Sequence, residues 1–104
     1  MKKMKVNPGV CGLECIICAE NDDGDVTVTV ETKCSAVKKM IEALDQPLDP
    51  YAVCFVKPGK GPVYEAAENL SHGACPIPSA VTKCIEAESR LALPRDTTFE
   101  FIEE

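Results

Sequence analysis

Three thiols fall within eight residues at Cys11-Gly-Leu-Glu-Cys15-Ile-Ile-Cys18, and four more follow at Cys34, Cys54, Cys75 and Cys84. The single histidine, His72, stands three residues before Cys75. Thiolate and imidazole are the ligands of borderline-soft metals, and thiolates are also the nucleophiles of disulfide exchange. Other chemistry is thin. Asp22, Asp23 and Asp25 surround Gly24 and read as solvated turn formers. No Ser-His-Asp set presents itself, and Lys57-Pro-Gly-Lys-Gly-Pro62 lacks the strand–loop–helix setting that a phosphate loop needs.

The chain around these residues is 104 long, enough for one domain with its own core and no stretch that reads as a linker. Its hydrophobic fraction of 45% fits a globular protein, and the absence of Trp makes that core aliphatic. The net charge of −6 disfavours nucleic acid, because phosphate binding needs Lys and Arg gathered on one face. The charged start Met1-Lys-Lys-Met-Lys-Val6 runs into Asn7-Pro8-Gly9 and not into an apolar run, so neither a signal peptide nor a membrane span is expected. A cytoplasmic location follows as the expectation, with thiols kept reduced. Seven cysteines also cannot close a complete intramolecular disulfide framework.

The elements that must position the thiols can be read in order. Lys3–Val6 is a short edge strand before a turn at Asn7-Pro8-Gly9. Val26-Thr-Val-Thr-Val-Glu-Thr32 alternates strictly and is the clearest strand. Asp-Gly before it signals a hairpin with Gly12–Glu20. If Asp22 pairs with Asp25, then Ala19 faces Val28, Ile17 faces Val30, Cys15 faces Thr32 and Leu13 faces Cys34. Cys11, Cys15 and Cys34 then gather at one end of one face, with Cys18 on the other face beside Thr29. A helix from Cys34-Ser35 carries the stripe Val37, Met40, Ile41 and Leu44. Asp49-Pro50 opens a short helix, Pro62 another capped by Gly73, and the longest helix follows Cys75-Pro76 and ends near Leu93. Thr97–Ile102 alternates and is aromatic, a final strand for the same sheet. The expected fold is an α+β two-layer sandwich in the order β-β-β-α-α-α-α-β. Its antiparallel hairpin sheet is joined by the C-terminal strand, and three to four helices pack on one face.

On this frame the local Cys11/Cys15/Cys18 trio comes apart, since alternation sends Cys18 away from Cys15. Free cysteine packs well as a small hydrophobe, so Cys15 reads as core and Cys18 as incidental. Cys84 lies at helical spacing between Ala80 and Ala87 and is core. Cys34 and Cys75 stand at helix starts, where orphan N–H groups and the macrodipole favour negative charge. His72-Gly-Ala-Cys75 has a common chelating spacing. The lead set is therefore Cys11, Cys34, His72 and Cys75 as a tetrahedral metal site, with Cys15, Cys18 and Cys54 in reserve. Zinc is the first metal and an iron–sulfur cluster the alternative. A closed site points to a structural or protein-interaction role and away from catalysis. The rival is a thiol-redox or sulfur-handling protein using Cys75 or Cys34. The expected partners are a protein of unspecified kind, with neither nucleic acid nor membrane, and the chain a monomer or homodimer.

Several blocks also carry a resemblance. Pro8-Gly-Val-Cys-Gly-Leu13, Glu31-Thr-Lys-Cys34, Val63-Tyr-Glu-Ala-Ala67, His72-Gly-Ala-Cys-Pro-Ile-Pro78 and Leu91-Ala-Leu-Pro-Arg-Asp-Thr97 together resemble a small domain family of unknown function from archaea and anaerobic bacteria. The resemblance implies that Cys11, Cys34, His72 and Cys75 belong to that family's pattern, whereas Cys15, Cys18, Cys54 and Cys84 look particular to this chain. It implies no activity. Cys11-x3-Cys15-x2-Cys18 is also similar in spacing to the cluster motif of radical S-adenosylmethionine enzymes, but such a barrel needs a chain roughly twice as long. A likeness to the zinc-associated module ending some ribonucleotide reductases is one of element order alone.

Overall fold

The computed structural model describes residues 1–103. Strands β1 (Lys2–Val6), β2 (Cys15–Asp22) and β3 (Asp25–Thr32) form one antiparallel sheet in the order β1-β2-β3. Helices α1 (Ser35–Glu42), α2 (Pro50–Cys54), α3 (Gly61–Ala66) and α4 (Ile77–Glu88) follow, with a 3₁₀ turn at Ala67–Asn69 after α3. The fold is α+β, as its alternating and helical periodicities require.

The register is the one the Asp-Gly turn dictates. Asp23 and Gly24 take φ values of 54° and 96°, the pair of positive angles that a two-residue I′ turn demands. Cys15 then lies opposite Thr32, Ile17 opposite Val30 and Ala19 opposite Val28. Because side chains alternate, Cys15, Ile17, Ala19, Val26 and Val28 are all buried on one face. On that face α4 lays down Ile77, Ala80, Val81, Cys84 and Ile85, and α1 contributes Val37, Met40 and Ile41. Each fully buried Ile or Val adds about 1.5–3 kcal/mol of hydrophobic stabilisation.

The two edges of the sheet differ. Outside β3 the chain returns from α1, and Leu48 exchanges backbone hydrogen bonds with Val26 at 2.9 and 2.8 Å. The Gln46 side-chain amide clasps Val28 in the same way, accepting from its N–H at 2.6 Å and donating to its carbonyl at 3.0 Å. Outside β1 no strand is paired among the described residues.

Two expectations about the C-terminal part are corrected. Thr97–Ile102 forms no strand; it is exposed, and Phe99, Phe101 and Ile102 face solvent. The β3 edge is already satisfied by Gln46 and Leu48, so no place remains there for it. Helix α4 stops at Glu88 and not near Leu93. Arg90 turns left-handed at φ 61°, and Leu91 N–H and Arg90 N–H donate to the Glu86 and Ala87 carbonyls at 2.8 and 3.3 Å. That is a Schellman stop with arginine where glycine is usual, so composition carried no warning of it. The helix end is tied to the sheet: the Glu88 carboxylate accepts the Asn21 N–H at 2.9 Å and lies 3.3 Å from the terminal amine of Met1. The Asn21 bond first, and the ammonium after it, hold the Glu88 carboxyl below its ordinary range. Gly73 does not cap α3, which instead tightens into the 3₁₀ turn.

Candidate metal centre

Cys11, Cys15 and Cys34 lie on the chain around the start of β2 and the end of β3, and Cys75 precedes α4. Before β2 the chain makes a tight loop in which Gly12 N–H donates to the Gly9 carbonyl at 3.0 Å. Gly12 sits at φ 67°, a conformation costly for any residue with a Cβ, and this turn holds Cys11 out at the surface. Two residues after the loop Cys15 enters the sheet and is buried, 1% exposed.

Across the sheet Thr32 faces Cys15 and joins two parts of the site. Its hydroxyl lies 3.2 Å from the Cys15 sulfur, and the same oxygen accepts the Cys34 N–H at 3.1 Å. Cys34 is the N-cap residue of α1, in extended conformation, and its sulfur makes no capping hydrogen bond. Cys75 closes a turn by donating its N–H to the His72 carbonyl at 3.1 Å, then hands the chain to Pro76 and α4. Both Cys34 and Cys75 are partly buried against the core.

Electrostatics show how these sulfurs relate. Burial, first, pushes the Cys15 thiol above its ordinary range, and the Thr32 hydroxyl pulls the other way. Negative charge at Cys34, Cys75 and Cys11 then raises it further. One buried thiol therefore feels three others, from the loop, the start of α1 and the entry to α4. All seven cysteines are free thiols, and among the described residues no three His, Cys, Asp or Glu side chains are grouped so that they could hold a metal ion in this arrangement. An open depression lined by Gly12, Leu13, Glu14, Thr32 and Lys33 borders the site.

The remaining candidates lie elsewhere. His72 is exposed in its turn, and the charges that act on Cys15 are the three thiols and not this imidazole. Cys18 sits on the opposite sheet face, across from Thr29, with its sulfur 3.5 Å from the Met1 thioether. Cys54 on α2 points to the Thr82 carbonyl at 4.0 Å, and burial, with Glu86 second, pushes its thiol up to about 11. Cys84 is buried on α4. Sequence reasoning named Cys11, Cys34 and Cys75, the three thiols whose charges act on Cys15. It left Cys15 in reserve and overlooked Thr32. The signal for both was in the register, which sets Cys15 opposite Thr32 and within reach of Cys34.

Neither the curated proteins nor the solved structures contain a match to this chain. Residues 2–101 match the Family of unknown function (DUF6951), and the chain belongs to that family.

Proposed function

We propose that this domain binds one metal ion, zinc before any other, through Cys11, Cys15, Cys34 and Cys75, and that the bound ion serves a structural or protein-interaction role. The observation that carries the reading is the buried Cys15 thiol acted on by the charges of three others from separate segments. Such a group resists ionising by itself. A divalent cation in direct contact with the sulfurs attracts each thiolate more strongly than the more distant thiolates repel it, so its binding favours the ionised form. Four thiolates suit zinc in tetrahedral coordination. The Thr32 hydroxyl is an outer-shell partner that can donate to the Cys15 thiolate while accepting from Cys34 N–H.

Cys15 replaces His72 in this ligand set, with the exposed imidazole as the substitute. A closed four-sulfur site has no open position for water, which favours a structural task over hydrolysis. The acidic balance of the chain favours a protein partner over nucleic acid. A reduced, cytoplasmic setting keeps the thiols available. Redox catalysis by Cys15, Cys54 or Cys84 has less support, since all three are shifted away from the reactive thiolate, which leaves Cys75 or Cys34 as the thiol of that alternative. An iron–sulfur cluster would use the same four sulfurs.

Elemental analysis of anaerobically purified protein tests the reading. One zinc per chain in colourless protein is the expected result. Brown, iron-containing protein replaces zinc by a cluster at the same residues. Protein that carries no metal and takes up none when reduced and supplied with zinc overturns the proposal.

A further inference from the structure

The sheet and the tail each present half of an unmade pairing. The β3 edge is closed by Gln46 and Leu48, whereas β1 has no strand outside it among the described residues. Met4 and Val6, the core-side residues of β1, are only partly buried for that reason. On its other side β1 carries Lys3 and Lys5, both exposed, with the Lys5 ammonium 3.9 Å from the Glu14 carboxylate in a loose surface pair. The tail has the converse pattern. Thr97-Thr-Phe-Glu-Phe-Ile102 alternates as a strand does, yet Phe99, Phe101 and Ile102 stand in water and the chain around them has no regular secondary structure. Exposed lysines on an edge strand normally guard it against pairing. Here the tail brings Glu100 between its two phenylalanines, the charge that those lysines accept.

We propose that Thr97–Ile102 adds as an antiparallel strand to the outer edge of β1 in a second copy of this chain, with the exchange made reciprocally about a two-fold axis. Placing Glu100 opposite Lys5 sets Phe99 opposite Val6 and Phe101 opposite Met4. The phenylalanines then extend the core-side face, and the carboxylate joins the lysine face. Main-chain hydrogen bonds supply affinity and alternate side chains supply register, as in other strand additions. Phenylalanine buries about 150–250 Å². Four of them in a reciprocal exchange bring the contact to the scale of roughly 1,000 Å² that a specific interface needs. Two-fold closure uses up both edges and both tails and so stops at a dimer. This inference is independent of the thiol site.

The test is the mass of the full chain in solution, measured by light scattering under reducing conditions so that no intermolecular disulfide contributes. The wild-type chain is expected to be a dimer. The double variant Phe99→Ser/Phe101→Ser is expected to dissociate at least about 10,000-fold more readily, the four aromatic anchors lost from the reciprocal dimer each costing a tenfold factor or more. Its circular dichroism should stay that of a folded domain, because neither ring touches the core. Glu100→Lys weakens the dimer, and adding Lys5→Glu restores it. A wild-type chain that is monomeric through the micromolar range overturns the proposal, whether its tail is free or folded onto its own β1. A dimer indifferent to the phenylalanine pair overturns it equally.

Discussion

Cys15 and Cys84 are equally buried, each 1% exposed, and burial is the first cause that raises the pKa of both thiols. Their surroundings separate them. The Cys84 sulfur lies 3.6 Å from the Lys2 carbonyl and 3.9 Å from that of Ile17. A carbonyl only accepts, so it selects the protonated thiol; after burial, charge at Cys18 also raises the Cys84 thiol, while a backbone hydrogen bond at Ala19 lowers it. Cys15 also lies 3.7 Å from a carbonyl, that of Leu13, but its nearer partner is the Thr32 hydroxyl at 3.2 Å, which can accept from a thiol and donate to a thiolate. Charges at three other thiols also act on it. Burial alone therefore does not single out Cys15. The hydroxyl beside it is the reason it, and not Cys84, is the proposed ligand.

The comparison breaks most sharply under matched substitutions. Cys15→Ala and Cys84→Ala remove the same atoms from equally buried places, and both should cost metal-free protein about 1–2 kcal/mol. Only Cys15→Ala should lose zinc, with affinity down about 100-fold or more and most of the zinc-dependent rise in melting temperature gone. Zinc content measured after dialysis decides the matter. Equal zinc in the two variants would erase the distinction between them.

A smaller effect sharpens the role of the neighbour. Thr32→Val keeps the shape of the side chain but strands the Cys34 N–H, which should cost about 1–2 kcal/mol in chemical denaturation. As an outer-shell change it should weaken zinc about 10–100-fold, whereas Thr32→Ser, which retains the hydroxyl, should remain close to wild type. Competition with a chromophoric chelator reads both. Equal affinity in the valine and serine variants would remove Thr32 from the site.

The smallest effect concerns a thiol outside the cluster. Burial with Glu86 nearby sets Cys54 to about 11, so its folded-state thiolate fraction should grow about tenfold per pH unit across the alkaline range and level off only near that value. Alkylation of the zinc-loaded protein, followed by peptide mass spectrometry, should show Cys54 lagging behind Cys18 at neutral pH. Cys54 labelling ahead of Cys18 at neutral pH would show that burial does not govern it.

Local pattern was legible wherever one rule sufficed. The Asp23-Gly24 turn set the hairpin register, strict alternation set which face of β3 is buried, and the spacing of Val37, Met40 and Ile41 set the inward face of α1. Those features depend on neighbours in sequence, whose geometry is nearly invariant. The end of α4 and the fate of Thr97–Ile102 were not legible. The first rests on an arginine in a left-handed turn, and the second on whether a sheet edge had already been taken by Gln46 and Leu48. For the thiols, residue types and spacing determined that Cys11, Cys34 and Cys75 lie on segments able to meet, and that Cys18 faces away from Cys15. Only the tertiary structure decided that Cys15 is the buried member on which the others act, and that Thr32 joins it to Cys34. Interactions among thiols from a loop, a strand and two helix starts depend on how those elements pack, which no spacing within any one of them encodes.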